Sequence, residues 1–137
     1  MGSVYSLAIG TRLGRISMDR EEKRKIKDTW IERQSKKKQD LDELRKDAWV
    51  KACKIASLLR SDWGVTDVYL YGSLAENRFD NLSDIDLFVT GFESGRDYWR
   101  MQATAMELAS PFPVGIVLEK DAWPSLREKV LKEGVLL

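Results

Sequence analysis

Hydrophobic and polar positions follow two different periods along this chain, and the change between them predicts mixed α and β structure. From residue 40 to residue 63, apolar side chains recur every three or four positions, which is typical of a helix with one buried stripe. Residues 68–71 and 85–89 are short apolar, β-prone runs bounded by Gly, Asp and Asn, so each predicts a strand. The helical stripe consists of Leu41, Leu44, Ala48, Ala52, Ile55 and Leu59.

The C-terminal part continues as helix, strand and helix. A cap over residues 94–97 begins a helix that runs to about residue 109, and two prolines separate it from a strand over residues 114–118. A last helix is predicted over residues 125–133. Residues 135–137 then form either a short strand or a hydrophobic contact, and the pattern leaves both open.

A strongly charged segment precedes the apolar stripe. Asp19 and Glu22 have the spacing of a capping box, which predicts a helix from residue 19 to about residue 38. A second capping-box pattern at Asp40 and Glu43 predicts the start of the next helix, and residues 35–39 leave open whether the two helices are continuous. The charged helix has few apolar side chains and needs a neighbour to be stable. Those side chains are Ile26, Trp30 and Ile31.

These patterns predict an extension followed by one domain. Residues 1–39 form a tail and a charged helical arm, since residues 1–16 show no sustained period. Residues 40–137 form the domain, with a first helix over residues 40–63 and a core over residues 65–137. The 137 residues and the 43% hydrophobic content suffice for one modest core.

Charge is balanced overall but divided along the chain. Residues 1–64 contain 16 basic and 10 acidic side chains, whereas residues 65–137 contain 7 basic and 12 acidic ones. The basic runs at residues 23–25 and 36–38 suggest a contact with RNA or with an acidic protein. Acidic residues interleaved with them favour a solvated helix face instead, so nucleic-acid binding is the less favoured interpretation.

Several classes of site are excluded by composition. The chain has no histidine and a single cysteine, Cys53, so a Ser-His-Asp triad, an internal disulfide and a thiolate metal cluster cannot form within it. We expect Cys53 to pack in its helix. No stretch is long and apolar enough to span a membrane, and the N-terminus lacks the pattern of a signal peptide, so we expect a cytoplasmic protein.

Two carboxylates and a glycine turn carry the candidate chemistry. Side chains alternate in a strand, so Asp84 and Asp86 share one face, about 7 Å apart, where they suit a hard divalent cation such as Mg²⁺. Gly72 lets the chain turn tightly at the end of a strand, and a short helix or a loop is expected to follow before the next strand. If a helix begins there, its first N–H groups can hold a phosphate.

These residues resemble a family signature. Gly72-Ser73, ten residues, and then Asp84-Ile85-Asp86 resemble the minimal nucleotidyltransferase (MNT) family of the polymerase-β-like superfamily, and the similarity covers about residues 65–137. Ala75, Ser83 and the apolar run after Asp86 extend it. The resemblance implies an α+β fold, with a mixed sheet, helices mainly on one face and an N-terminal helical extension.

The chain also departs from that signature. Asn77 stands where the family usually has a second glycine, and Leu74 and Glu76 occupy positions where arginines are common. The family's third carboxylate, on a later strand, corresponds here to Gly115. Glu119 would face the same side of that strand as Gly115 but lie about 13 Å further along, so it, or Asp121, replaces the missing ligand only if the strand bends.

The resemblance implies a specific reaction. Gly72, Ser73 and Ser83 would bind ATP or another nucleoside triphosphate, and Asp84 and Asp86 would hold Mg²⁺ and serve as the catalytic carboxylates. A nucleoside monophosphate, AMP first, would pass to a hydroxyl acceptor. Members of the family are antitoxins beside an HEPN-type partner protein, which makes that partner the favoured acceptor.

Two other classes of function remain open. Because Gly115 replaces a carboxylate, the chain is alternatively a catalytically degenerate module that neutralises its partner by contact through the N-terminal helices. A third interpretation is a structural protein that forms homo-oligomers by pairing those helices.

Overall fold

The computed structural model of the protein describes residues 18–137, and the predicted tail at residues 1–16 lies outside them. Seven regular helices and strands follow in order, with a short 3-10 turn at Glu119–Asp121. They are α1 (Arg20–Trp63), β1 (Asp67–Tyr71), β2 (Ile85–Thr90), α2 (Tyr98–Ala109), β3 (Val114–Leu118), α3 (Pro124–Glu133) and β4 (Val135–Leu136). Within this part of the chain, no helix combines the length and the apolar composition that crossing a membrane requires.

Helix α1 includes both helices that the sequence predicts. The first capping box forms, since the N–H of Glu22 donates to Asp19 Oδ1 at 2.8 Å. The second box, at Asp40 and Glu43, does not start a helix because the chain is already helical there. Residues 35–39 contain no Gly or Pro, and their Lys and Gln side chains favour helix, so nothing interrupts it. By its contacts the chain divides into two units, residues 1–38 and 39–137.

The four strands form one mixed sheet in the order β3-β2-β1-β4. Strand β1 pairs antiparallel with both β2 and β4, whereas β2 and β3 are parallel. Of the two options that the sequence left open for the C-terminal residues, a strand or a hydrophobic contact, the structure has the short strand. The fold class expected from the sequence is confirmed.

One face of the sheet carries the main hydrophobic core. Alternate residues of β1, β2 and β3 lie in one buried cluster with the C-terminal part of the predicted stripe of α1 and with Met101, Ala105 and Ala109 of α2. Leu44 of the stripe packs against this cluster, and Leu41 does not belong to it. Cys53 does not pack in this core, contrary to expectation, but is exposed. Ala52, Ile55 and Ala56 occupy the buried face, and Cys53 is rotated about 100° from Ala52 around the helix.

The opposite face is covered in part by α3. Phe88, fully buried, points to this face because its neighbours Leu87 and Val89 belong to the main core. Its ring meets that of its cross-strand partner Tyr69 edge-on, with centroids 6.3 Å apart. Val130 of α3 is also buried, and α3 contacts β1. The two larger helices thus lie on one face, and the small C-terminal helix lies on the other.

Side chains of α2 close the outer edge of β3. Gln102 donates from Nε2 to the carbonyl of Val114 at 2.6 Å and accepts the N–H of Ile116 at 3.2 Å. The hydroxyl of Tyr98 donates to the carbonyl of Ile116. An edge strand with free backbone groups can pair with other chains, so these contacts protect the sheet.

Candidate active site

The end of β1 lies directly against a carboxylate of β2. Tyr71, the last residue of β1, pairs with Asp86. Gly72 follows with φ +76°, and a Cβ built there would clash with Oδ2 of Asp86 and lie 3.3 Å from its Cγ. A residue with a side chain would need a strained backbone and would displace the carboxylate. Glycine is therefore required for the turn to approach Asp86 this closely.

The segment after Gly72 is a single hydrogen-bonded turn, which agrees with the short helix or loop expected from the sequence. The N–H of Glu76 donates to the carbonyl of Gly72 at 3.0 Å, and that of Arg78 to Ser73 at 2.8 Å. Asn77 then takes φ +58°, a left-handed conformation that ends the turn and that asparagine tolerates. The N–H groups of Ser73 and Leu74 precede the first donor, as at the start of a helix.

Buried side chains anchor this turn on both sides. Leu74 at its start is 3% exposed, and Phe79 after its end is fully buried. The Phe79 ring meets that of Phe112 edge-on, with centroids 5.5 Å apart, and Arg45 Nε donates to the Phe79 carbonyl at 2.8 Å. The buried side chains of Leu74 and Phe79 therefore fix both ends of the turn in the hydrophobic core.

A second small turn positions the two aspartates. The Asp80 N–H donates to Ser83 Oγ at 3.0 Å, and Asp80 Oδ1 accepts the Leu82 N–H at 2.9 Å and the Ser83 hydroxyl at 3.1 Å. The hydrogen bond from Leu82, followed by that from Ser83, holds the pKa of the Asp80 carboxyl below its usual value. Ser83 braces the turn that precedes Asp84, and a direct contact between Ser83 and a nucleotide stays a prediction.

The two aspartates form an uncompensated pair of like charges. Asp84 is exposed just before β2, and Asp86 is half-buried in it. Burial, followed by the negative charge of Asp84, raises the pKa of the Asp86 carboxyl above its usual value. Between residues 18 and 137, no third His, Cys, Asp or Glu completes a metal-binding group with them.

Tyr71 is a site residue that the sequence did not single out. Burial, followed by the charge of Asp86, raises the pKa of its phenol. Tyr71 and Asp86 are cross-strand partners, so their side chains lie on the same face of the sheet. The signal that would have identified Tyr71 is the register of β1 against β2, which the local pattern does not define.

Gly115 lies beside Asp86 on the neighbouring strand. The two residues are partners in the parallel β2–β3 ladder, and a Cβ added at Gly115 would meet no atom within 4 Å. The position that resemblance assigned to a third carboxylate is thus next to Asp86. In this chain it is open space.

The structure does not bring Glu119 to the two aspartates. Glu119 begins the 3-10 turn after β3, four residues beyond Gly115 and about 13 Å further along the strand direction. Its Oε2 accepts a hydrogen bond from Arg127 Nε at 2.8 Å. Asp121 belongs to the same turn. The strand does not bend, so neither residue replaces the carboxylate missing at Gly115.

The groups that remain match the ligands of a magnesium-bound polyphosphate. Mg²⁺ is commonly held by one or two carboxylates, with phosphate and water oxygens completing its shell. Asp84 and Asp86 supply two carboxylates whose mutual repulsion a cation would relieve. The turn after Gly72 supplies backbone N–H groups beside them, the arrangement that binds phosphates.

Comparison with known proteins identifies the family of the chain. The family described as "Polymerase beta, Nucleotidyltransferase" matches residues 53–137, which include both aspartates and the glycine turn. A solved structure described as a "putative minimal nucleotidyltransferase" is 33% identical, covers 71% of this chain and 95% of its own, and superposes with a TM-score of 0.57. No curated protein matches the chain. The chain therefore belongs to the polymerase-β nucleotidyltransferase family.

Proposed function

We propose that this protein is a magnesium-dependent nucleotidyltransferase that moves a nucleoside monophosphate, AMP first, from a nucleoside triphosphate to a hydroxyl. The observation that carries the proposal is the contact between the Gly72 turn and the carboxylate of Asp86, with Asp84 beside it. Phosphate-binding N–H groups and metal-binding carboxylates meet there. A structural role alone would not require two unneutralised aspartates against a glycine.

Each part of the site has a role in this proposal. The turn at Gly72 and Ser73 binds the β- and γ-phosphates of the nucleotide through its N–H groups. Asp84 and Asp86 hold Mg²⁺, which when bound neutralises the polyphosphate and the charge that develops on the leaving pyrophosphate. The acceptor oxygen bonds to the α-phosphorus as the bond to pyrophosphate breaks, and the proton of the acceptor hydroxyl is released to water.

The acceptor we propose is a hydroxyl on a partner protein, with an HEPN-type toxin as the first choice. The solved relative is described as a minimal nucleotidyltransferase, and the chain's signature resembles antitoxins of that family. The described residues form a small sheet unit and a helical unit, without a second sheet domain to enclose a small acceptor. A cytoplasmic toxin–antitoxin pair is part of this proposal.

Transfer of label tests the proposal. The protein and a copurified partner are incubated with Mg²⁺ and ATP labelled at the α-phosphate, and label on the partner is measured. Asp84→Asn with Asp86→Asn should abolish transfer and leave the complex intact. Asp40→Asn with Asp42→Asn is the matched control, because these aspartates have the same spacing and are exposed on α1. Equal labelling by both double variants would refute the proposed site.

The open position at Gly115 favours a second candidate function. With two carboxylates and no third group among residues 18–137, the fold would serve as a binding module that neutralises its partner by contact. The double variant Asp84→Asn with Asp86→Asn distinguishes nucleotide transfer from neutralisation by contact. If the partner remains fully neutralised by the double variant, contact is sufficient and transfer is not the function.

A further inference from the structure

The N-terminal part of α1 presents an apolar ridge to solvent. Every residue from Asp19 to Asp40 is exposed, including Ile26 at 59% and Trp30 at 61% of their full surface. These two side chains are four residues apart, so they lie on the same side of the helix. With Lys25, Thr29 and Arg33 they line a shallow depression. Exposed tryptophan next to aliphatic surface is typical of a binding face.

Charges are sorted around this ridge. At 3.6 residues per turn, four cations lie within about 60° of Trp30 around the helix axis. They are Lys23, Lys27, Arg33 and Lys37. Three acidic residues, Glu21, Asp28 and Glu32, lie about 160–180° away on the opposite side, and Glu22 lies about 80° away. Asp19 lies on the ridge side at the start of the helix, where its carboxylate accepts the Glu22 N–H as the N-cap. The helical part of this face therefore carries four cations and no acidic side chain within about 60° of Trp30.

These four cations have no acidic partner in the described structure. The ion pair in this stretch joins Arg24 to Glu21, away from the ridge. Residues 1–17 contain no Asp or Glu, so the N-terminal residues supply no carboxylate side chain either. The face thus combines an apolar centre with uncompensated positive charge on both flanks, and it fits a ligand that is apolar in the middle and acidic at its edges.

We propose that this face, defined by Lys23, Ile26, Trp30, Arg33 and Lys37, binds an acidic amphipathic helix of a partner protein. The five positions alternate spacings of three and four residues, the pattern with which one helix packs along another. Acidic side chains beside an apolar stripe on the partner would pair with the flanking cations. The proposal does not depend on nucleotide transfer, because it concerns binding by residues outside the catalytic site.

Two other occupants fit the face less well. A second copy of the chain would place the same four cations against one another. Single-stranded RNA is held by several aromatic side chains that stack on successive bases, whereas this face offers one tryptophan and an isoleucine. An acidic helix satisfies both the charge and the apolar ridge.

A designed peptide tests the proposal with the full-length protein. The probe is a labelled amphipathic peptide of about 21 residues, three heptads, with leucines along one stripe and glutamates beside them. A second peptide replaces every glutamate with lysine. Fluorescence anisotropy should show that the acidic peptide binds and that the lysine peptide does not. Ile26→Ala and Lys37→Gln should each weaken it by about fivefold or more, as expected for interface residues worth over ~1 kcal/mol.

Matched controls lie on the same helix. Ile31→Ala removes an exposed isoleucine about 100° from Trp30, and Lys36→Gln removes a lysine about 120° away, and neither should change the affinity. The side chains at all four substituted positions are exposed, so each variant should keep the helix, and circular dichroism would verify this. Failure of the acidic peptide to bind, or equal losses in the control variants, would overturn the proposal. So would tighter binding of a short oligouridylate at physiological salt, or a dimer that Ile26→Ala dissociates.

Discussion

Replacing Gly72 with alanine should damage the site through a single added methyl group. The new Cβ would clash with Oδ2 of Asp86 and meet its Cγ at 3.3 Å, in a backbone conformation with φ +76°. Gly64 is the matched control, since it has φ +66° but nothing within 4 Å of an added Cβ. The two substitutions therefore impose similar backbone strain, and only one of them reaches the carboxylate.

The magnitudes follow from these two contributions. A left-handed conformation costs a residue with a Cβ about 1–2 kcal/mol, which we expect as the loss in free energy of unfolding for Gly64→Ala. In Gly72→Ala the Asp86 side chain must also leave its rotamer, at about 0.5–1.5 kcal/mol, so the total is about 1.5–3.5 kcal/mol. Displacing a metal ligand should weaken Mg²⁺-nucleotide binding by about 10–100-fold.

Two assays separate stability from binding. Urea unfolding gives the free energy of unfolding of both variants, and titration with a fluorescent ATP analogue in Mg²⁺ gives their affinities. We expect Gly64→Ala to bind the nucleotide as the wild type does, and Gly72→Ala to stay folded but bind it about 10–100-fold more weakly. If Gly72→Ala retains full affinity, the approach of the turn to Asp86 has no functional meaning and the reasoning fails.

Three further predictions concern the surroundings of this site. Gly115→Asp should raise Mg²⁺ affinity and transfer activity, because its side chain enters open space beside Asp86; an unchanged titration would show that this space is not part of the metal site. In metal-free protein, the raised pKa of Asp86 means that the folded state holds its proton more tightly than the unfolded state. Asp86 therefore lowers stability as pH rises from about 3.8 through that raised pKa, and urea midpoints of wild type and Asp86→Asn should diverge over this range, in favour of the variant. Urea midpoints of the two proteins that stay parallel over this pH range would contradict this prediction. Gln102→Ala should lower the free energy of unfolding by about 1–3 kcal/mol, because it leaves the Val114 carbonyl and the Ile116 N–H unpaired; a loss below the experimental error would show that water replaces both bonds.

The elements of the fold follow largely from local patterns. The apolar stripe of α1 and the strands flanking the signature are readable because burial repeats with the period of the local structure. The register in which β1 pairs with β2 does not follow from local patterns. Pairing of Tyr71 with Asp86 depends on how β1 and β2 align across the long segment between them, and a shift by one residue would invert every side chain. Tyr71 could therefore not be identified as a site residue beforehand.

Other features of the structure also depend on contacts or geometry that local sequence patterns do not define. The sequence allowed a short helix or a loop after Ser73, and the structure has a single turn that ends at Asn77. Glu119 has the correct strand parity, yet it replaces a ligand only if β3 bends, and Arg127 holds it elsewhere. Acidic and basic residues alternate along the sequence of the charged arm, whereas helical geometry places four of the cations on the side of Trp30.

The central claim is that Asp84 and Asp86, beside the Gly72 turn, bind a magnesium-bound nucleoside triphosphate. Isothermal titration calorimetry with ATP tests it most directly, in Mg²⁺ and again after chelation, for the wild type and for Asp84→Asn with Asp86→Asn. We predict saturable binding by the wild type that requires Mg²⁺ and is lost in the double variant. Absence of heat from the folded wild type, or equal affinity in the double variant, would contradict the claim.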